Sequence, residues 1–308
     1  MFVVCGEALM DVFAAGDTAT GMAMDARIGG SPFNVALGLA RLAQPVAFFG
    51  ALSSGFLGLR LLQALQAEGI VTDCAPVLDA PTTLSLIGLD AQGVPSYSFY
   101  GTGCADRLMP LSALDRVPAV ARAFQFGSYA MVVEPVAATQ RALVEREHQR
   151  SMIAYDPNIR LNVEPDLGVW RDALAWMVPR THLLKVSDED LGLLFPGVEI
   201  ATLAQGWLAQ GVPLVVVTRG GEGAEAWAPG VHVRAAPQQV TVVDTVGAGD
   251  TFQAALLTWL AEQGRLSPEG VDGWTESDLL AALDFAGRAA AITCSRRGAD
   301  LPRRAELG

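Results

Sequence analysis

The sequence predicts an α/β protein with a central, mostly parallel sheet, helices on both of its faces and a small separate β-sheet. Strand patterns alternate with amphipathic helical patterns along most of the chain, which is typical of parallel strands joined by crossover helices. Two stretches, 12–28 and 82–101, break this alternation and are not helical. The hydrophobic fraction of 51% is ample for the core of such a fold.

The predicted strands of the large sheet are short runs of apolar, β-branched or aromatic residues. They cover 2–5, 46–50, 123–126, 152–155, 182–186 and 214–217. Between them, apolar residues recur at three- and four-residue spacing, which predicts helices. These cover 33–42, 57–68, 135–149, 168–177 and 200–209. In a sheet of this kind, ligands bind at the carboxyl ends of the strands.

The small sheet is predicted from alternating polar and apolar residues at 82–90 and 95–100, on either side of a turn at 91–94. This pattern predicts a hairpin with one buried face. Together with segment 12–28 it would form a lid of about 12–28 and 82–101. A lid excludes water from reactive groups. An ordinary surface hairpin is the alternative.

The charged residues exclude several classes of protein. The net charge of −12 argues against a nucleic-acid partner. Only one of the 21 basic residues is a lysine, Lys185, so 21 − 1 = 20 are arginines. Because Lys185 stands outside any Gly-Lys-Ser/Thr sequence, a P-loop is excluded. A dinucleotide-dependent dehydrogenase is disfavoured, since no G-x-G-x-x-G follows the first strand.

The cysteines indicate a reducing compartment. None of the four forms a C-x-x-C pair, and their wide spacing favours free thiols in the cytoplasm. The amino-terminal residues show no basic region before their apolar run, so we expect neither a signal peptide nor membrane association.

The most informative segment is 243–252, which reads VDTVGAGDTF and leads into an apolar helical pattern. A glycine-rich turn at a helix N-terminus forms an anion site, because free N–H groups and the helix dipole point at the ligand. The same dipole favours the ionised form of Asp250. A carboxylate beside an anion site suits a base that takes a hydroxyl proton during phosphoryl transfer. The alternative is a glycine turn whose acidic residue only stabilises the helix.

A second glycine turn precedes a helix at 28–34, IGGSPFN. Gly29 and Gly30 would leave room for a polyol. Asn34 offers a donor and an acceptor, which match a vicinal diol. Asp11 places a carboxylate just after the first strand, where it could bind sugar hydroxyls. Alternatively, Asn34 caps the helix and Asp11 faces solvent.

Seven segments resemble the ribokinase-like (PfkB) carbohydrate kinases, and within them the bacterial fructokinases. The segments are GEALMD (6–11), GGSPFNVALGLARL (29–42), SFYGTGCADRLM (98–109), DPNIR (156–160), KVSDEDL (185–191), VVVTRGGEGA (215–224) and VDTVGAGDTF (243–252). They occur in family order over nearly the whole chain. The resemblance implies one kinase domain over 1–308, folded as a ribokinase-like three-layer α/β/α sandwich with a lid.

The resemblance further implies transfer of the γ-phosphoryl group of ATP to a primary sugar hydroxyl, with D-fructose giving fructose 6-phosphate. Asp250 would be the base, and the backbone of Gly247, Ala248 and Gly249 the anion hole. The implied sugar or acceptor residues are Asp11, Gly29, Gly30, Asn34, Asn158 and Arg160. The implied ATP-binding residues are Lys185, Ser187, Thr218, Gly220, Gly223, Ala286 and Gly287.

Metal sites and assembly also follow from the resemblance. Many relatives carry an N-x-x-E motif that organises Mg²⁺, and Ser187 and Asp190 occupy the matching positions. Asp190 would therefore act on Mg²⁺ indirectly, through water. A monovalent-cation loop, for K⁺, would involve Asp244, Val246 and Gly298. Lid strands of the family pair between subunits, which implies a homodimer.

Other functions remain open at this stage. A 2-keto-3-deoxygluconate kinase could use Arg160 for the substrate carboxylate, and ribokinase is a further possibility. A non-catalytic sugar- or nucleotide-binding protein on the same scaffold is suggested by the altered pair Ser187 and Asp190. Lys185 would face the ATP phosphates, or else be an exposed lysine without a role.

Overall fold

The computed structural model describes residues 1–89 and 95–308, so the predicted turn at 91–94 lies outside the described residues. The strands of the described chain are β1 (Phe2–Cys5), β2 (Leu9–Thr18), β3 (Gly21–Gly29), β4 (Val46–Phe49), β5 (Leu52–Ser53), β6 (Val77–Leu78), β7 (Leu84–Leu89), β8 (Pro95–Tyr100), β9 (Ala123–Gly127), β10 (Met152–Asp156), β11 (Leu183–Ser187), β12 (Leu214–Thr218), β13 (Ala224–Ala228) and β14 (Val231–Ala235). Its α-helices are α1 (Ser31–Arg41), α2 (Phe56–Ala67), α3 (Val136–Glu147), α4 (Leu167–Met177), α5 (Asp188–Leu194), α6 (Ile200–Ala209), α7 (Ala248–Glu262) and α8 (Glu276–Cys294).

The large sheet has the order β14-β13-β12-β11-β10-β9-β1-β4. The six strands from β12 to β4 in this order are parallel, and β13 and β14 continue the sheet in antiparallel fashion. All six strands predicted for this sheet are present, and so are the five helices predicted between them. The predicted α/β fold with a mostly parallel sheet is confirmed.

Five strands and α-helices of the described chain were not predicted: β5, β6, β13, β14 and α5. β13 and β14 are short strands at one end of the large sheet, in which Glu225, His232 and Arg234 interrupt the apolar pattern. The helix α5 begins with three acidic residues and spans only 7 residues, too few to show a helical period. Such elements form because the neighbouring strands and helices provide partners, which sequence periodicity does not record.

Two apolar cores lie on opposite faces of the large sheet. Successive side chains of a strand point to opposite faces, so Phe2 and Val4 join one core while Val3 and Cys5 join the other. Helices α1, α2, α7 and α8 pack on the first face, and α3 to α6 on the second. The result is the predicted arrangement of three layers.

The small sheet has the order β3-β2-β7-β8. β2 and β3 form a hairpin, β7 and β8 pair antiparallel, and β2 runs parallel to β7. The chain enters this sheet after β1, leaves it at Gly30 directly before α1, and returns to it for β7 and β8. The hairpin of β2 and β3 therefore connects the carboxyl end of β1 to the start of α1. No helix within 1–89 or 95–308 is long and apolar enough to cross a membrane.

Candidate active site

Asp250 lies in the first turn of α7 and accepts hydrogen bonds from two side chains of α1. The Ser31 hydroxyl donates to Oδ1 at 2.6 Å, and the Asn34 amide donates to Oδ2 at 2.8 Å. Burial raises the pKa of Asp250, although these two donors, Arg160 and Lys185 favour its ionised form. The helix dipole expected to keep Asp250 ionised is therefore opposed by burial.

The turn before α7 has the geometry of a helix N-terminus built on glycine. Gly247 has a φ of 79°, and a Cβ at this position would lie 2.7 Å from Cβ of Ala299. The N–H of Ala248 donates to the carbonyl of Thr245 at 3.2 Å. Because the first N–H groups of a helix lack partners within it, the remaining amides of this turn are the candidates for binding an anion.

Lys185 is buried beneath this turn. Its side chain is only 5% exposed, and Nζ lies 2.7 Å from Oδ2 of Asp156. A Cβ added to the exposed Gly249 would lie 3.4 Å from the same Nζ, so the ammonium group adjoins the first turn of α7. The alternative that Lys185 is a solvent-exposed lysine is wrong.

Asp11, Gly29 and Gly30 lie together where the small sheet meets α1. A Cβ on Gly29 would lie 2.2 Å from Oδ2 of Asp11, and one on Gly30 would lie 2.7 Å from the carbonyl of Glu7. A side chain at either position would clash with Asp11 or with the backbone at Glu7, so these close approaches require glycine. Burial raises the pKa of Asp11, and a hydrogen bond from Ser85 opposes this effect.

Asn158 and Arg160 follow β10 and lie at the same edge of the sheet. Asn158 has a φ of 43°, and its amide nitrogen is buried without a hydrogen-bond partner. Arg160 is exposed and donates to the carbonyl of Ile159 at 2.9 Å. Its charge favours the ionised forms of Asp11 and Asp250. The guanidinium group therefore lies within electrostatic range of both carboxylates.

Ser187 and Asp190 are engaged in local structure. The Ser187 hydroxyl caps α5 by accepting the Asp190 N–H at 3.0 Å, as serine commonly does at a helix start. Oδ1 of Asp190 accepts the N–H of Ile159 at 3.2 Å. Burial raises the pKa of Asp190, and the neighbouring Asp156 adds to that effect. Ser187 is thus a capping residue here, whatever contact it makes with a nucleotide.

The glycines after β12 have different surroundings. Gly223 has a φ of 95°, and a Cβ there would lie 2.1 Å from the carbonyl of Ala235, so the turn into β13 requires glycine. Gly220 has a φ of 48° with open space around it. Thr218 ends β12 at the carboxyl edge of the sheet. Thr218 and Gly220 are therefore more accessible to a ligand than Gly223.

The two positions predicted to lie near adenine also differ. Ala286 is fully buried in the core, so its side chain lies inside the protein and not in a nucleotide groove. Gly287 is half-buried, with the Gln238 side chain 3.6 Å from where its Cβ would lie. The small side chain of Ala286 serves packing, because it belongs to the core on this face of the sheet.

The positions predicted for a monovalent cation are brought together. Oδ1 of Asp244 accepts the Val246 N–H at 3.1 Å, and Oδ2 accepts the Gly298 N–H at 2.8 Å. Partial burial alone would raise the pKa of Asp244, but these backbone donors and that of Thr245 lower it overall. The carboxylate thus ties the loop before α7 to the loop after α8.

Two buried carboxyl groups at the base of the small sheet were missed by the sequence analysis. Asp106 accepts hydrogen bonds from the hydroxyls of Thr83 and Tyr129, at 2.5 and 2.8 Å. Glu7 lies between β1 and β2, and burial raises its pKa to about 8. Ser31 and Asp156 were also missed, although all four residues stand inside segments that the sequence had singled out. A buried glutamate in a short connector has no sequence signature.

Comparison with known proteins shows similarity to carbohydrate kinases. The pfkB family carbohydrate kinase profile matches residues 1–305. A fructokinase of Rhizobium leguminosarum bv. trifolii is 33% identical over 304 residues, covering 99% of this chain and 91% of that protein. The crystal structure of a fructokinase with bound ATP from Xylella fastidiosa is 25% identical, with a TM-score of 0.86, and covers 99% of this chain and 96% of its own.

A second solved structure is that of a Vibrio cholerae O395 fructokinase with fructose, ADP and calcium ion bound. It is 25% identical, has a TM-score of 0.80, and covers 99% of this chain and 97% of its own. The family profile spans almost the full sequence, and the curated relative shares a third of its residues over the same length. The chain belongs to the pfkB family of carbohydrate kinases.

Proposed function

We propose that this protein transfers the γ-phosphoryl group of ATP to the primary hydroxyl of D-fructose, giving fructose 6-phosphate. The observation that carries the proposal is Asp250, held at both oxygens beside the free amides of a helix N-terminus. The fructokinase names of the relatives, and the fructose and ADP bound in one of their structures, support the choice of substrate.

In this reaction the sugar oxygen forms a bond to the γ-phosphorus while the bond to the bridging oxygen breaks. ADP leaves with the electron pair, and Asp250 accepts the hydroxyl proton. The transition state of phosphoryl transfer is loose, so positioning and charge stabilisation contribute most of the catalysis. The amides of Gly247 and Gly249 and the Lys185 ammonium would stabilise the charge on the phosphoryl oxygens, and Asp11, Asn34 and Arg160 would hold the acceptor.

Mg²⁺ fits the residues beside this site. Oδ1 of Asp156 is buried without a hydrogen-bond partner. Asp190 lies close enough for the negative charge of Asp156 to raise the pKa of Asp190. Among the described residues, no cluster of three or more acidic, histidine or cysteine side chains forms a cage for a metal. Mg²⁺ usually keeps several waters and binds through few carboxylates. We therefore assign Asp156 and Asp190 to a water-mediated site for Mg²⁺, which neutralises phosphate charge when bound with ATP.

We also propose a site for a monovalent cation such as K⁺ beside Asp244. Both oxygens of Asp244 already accept backbone N–H groups. A cation there would therefore rely on backbone carbonyl groups of the two loops that Asp244 connects. Turnover measured in potassium and in tetramethylammonium chloride at equal ionic strength tests this site.

We also propose that the small sheet acts as a lid and pairs between subunits in a cytoplasmic homodimer. β3 is an edge strand, and Met22 and Met24 on it are 55% and 51% exposed. Exposed apolar side chains on an unpaired edge strand favour association with another chain. The four free cysteines support a reducing compartment. Size-exclusion chromatography that returns a monomer would contradict the dimer.

The test of the reaction is a coupled ADP-release assay with a panel of acceptors: D-fructose, 2-keto-3-deoxygluconate, D-ribose and no sugar. We expect D-fructose to have the highest kcat/KM. Faster turnover of another sugar would overturn the substrate but keep the kinase. Binding of ATP and fructose without any turnover would instead favour a non-catalytic binding protein.

A further inference from the structure

The first turn of α1 contacts Asp250 through residues on one face of the helix. Ser31 is the first residue of α1 and Asn34 the fourth, a spacing that places both side chains on the same side. Each takes one oxygen of Asp250, so the carboxylate cannot rotate without breaking a hydrogen bond. We propose that Ser31 is a positioning residue, whose hydroxyl orients the Asp250 carboxylate and keeps it ready to accept the sugar proton.

The backbone around Ser31 is fixed by close packing. Gly30, on its amino-terminal side, has a φ of 106° and lies against the carbonyl of Glu7. Pro32, on its carboxyl-terminal side, lies against Gly6, where a Cβ would come within 2.4 Å of Cγ of the proline ring. Because both neighbours of Ser31 pack against the connector from β1 to β2, the Ser31 hydroxyl is a fixed donor. Its position sets the orientation of the Asp250 carboxylate.

The Ser31 hydroxyl has a measurable effect on the pKa of Asp250. Burial raises the pKa of this carboxyl, and the hydrogen bond from Ser31 is the largest of the effects that lower it. The other groups that face Asp250 are Asn34, Arg160, Lys185 and the Asp11 carboxylate. Removing the hydroxyl should therefore shift proton uptake by Asp250 to higher pH, while the remaining groups still hold the residue in place.

This inference rests on the proposed function, since it takes Asp250 to be the base. The experiment compares wild type, Ser31→Ala and Ser31→Thr with the sugar that is turned over fastest, from about pH 5 to about pH 9. Ser277→Ala is the matched control, because Ser277 also lies in the first turn of a helix but is exposed on α8.

For Ser31→Ala we expect kcat to fall about tenfold near neutral pH, with the sugar KM little changed, since a hydrogen bond to a charged group is lost. Below neutral pH the loss should be larger, because the acid limb of the kcat profile moves to higher pH. Ser31→Thr retains the hydroxyl and should restore both the rate and the limb, and Ser277→Ala should match wild type.

An acid limb that stays in place in Ser31→Ala would overturn the inference, even if kcat falls. Should the alanine variant fail to fold, Ser31→Cys replaces it with the same expectation, because a thiol is a weak donor. Asp250→Asn distinguishes a failure of the proposed function from a failure of the inference about Ser31. If Asp250→Asn retains wild-type turnover, the proposed base is wrong; if it is inactive while Ser31→Ala behaves as wild type, only the inference about Ser31 fails.

Discussion

Nζ of Lys185 lies 2.7 Å from Oδ2 of Asp156, and both side chains are almost completely buried. The chain thus places its one lysine in an ion pair between β10 and β11, directly beneath the first turn of α7. A buried pair of this kind is costly to break, because the remaining charge has no partner and little access to water. Its position suggests a role in structure as well as in phosphate binding.

Lys185→Met should lower the free energy of unfolding by about 3–5 kcal/mol, because it leaves Asp156 buried and unpaired. The double variant Lys185→Met, Asp156→Asn removes both charges and should recover part of that loss. Urea unfolding followed by circular dichroism measures the difference. Equal stability of the single and double variants would contradict the importance of the pairing.

Asp250→Asn should lower kcat by about 10²–10⁴-fold, the usual contribution of a general base. The amide keeps the size of the side chain, so the affinity for fructose should change little. Isothermal titration with fructose, beside the coupled assay, separates the two effects. Loss of fructose binding together with turnover would point to a structural role for Asp250 and not to proton transfer.

Glu7 should make the protein less stable as pH rises. Its pKa is about 8 in the folded protein and near the ordinary value of 4.5 when unfolded, so the folded state holds the extra proton between these values. The contribution of this proton to the free energy of unfolding is fully present below about pH 4.5. It is lost as the pH rises toward about 8, which lowers the free energy of unfolding by a few kcal/mol. Glu7→Gln mimics the protonated form and should remove this dependence.

The measurement compares urea unfolding of wild type and Glu7→Gln at about pH 6 and about pH 9. The stability advantage of Glu7→Gln should grow between these two values. Glu276→Gln, at an exposed position of α8, is the control and should follow wild type. The same advantage at both pH values would show that Glu7 does not take up a proton on folding.

Arg160→Lys distinguishes a neutral sugar from an acid. The guanidinium group binds a carboxylate through two parallel hydrogen bonds, which lysine cannot reproduce. We expect the fructose KM to change by no more than about threefold, whereas activity on 2-keto-3-deoxygluconate, if present, should fall at least tenfold. A large rise in the fructose KM would mean that Arg160 contacts the sugar directly, and a large fall in kcat would mean that it contacts the transferring phosphoryl group. A fall in the ATP affinity would support that outcome.

The sequence predicted most of the strands and helices because their apolar patterns are local. The segment with Asp250 was recognisable because glycine before a helix has a specific conformational use. Ser31 was missed, because a serine at a helix start normally caps the helix, whereas its partner here is 219 residues away. Gly29 was interpreted as room for a ligand, and only the fold shows that the Asp11 carboxylate also lies against this glycine. Long-range neighbours of this kind leave no periodic signal.

The two cores of the large sheet separate the molecule into parts that tolerate change differently. The predicted base Asp250 and its donors Ser31 and Asn34 belong to α7 and α1 on one face of the sheet. On the other face, α3, α4 and α6 contain none of the predicted site residues. Sequence drift, or deliberate thermostabilisation by repacking around Trp170 and Trp207, can therefore proceed on the second face without altering reaction geometry. Substitutions intended to raise the thermal stability of the enzyme are therefore best placed in the core on this second face.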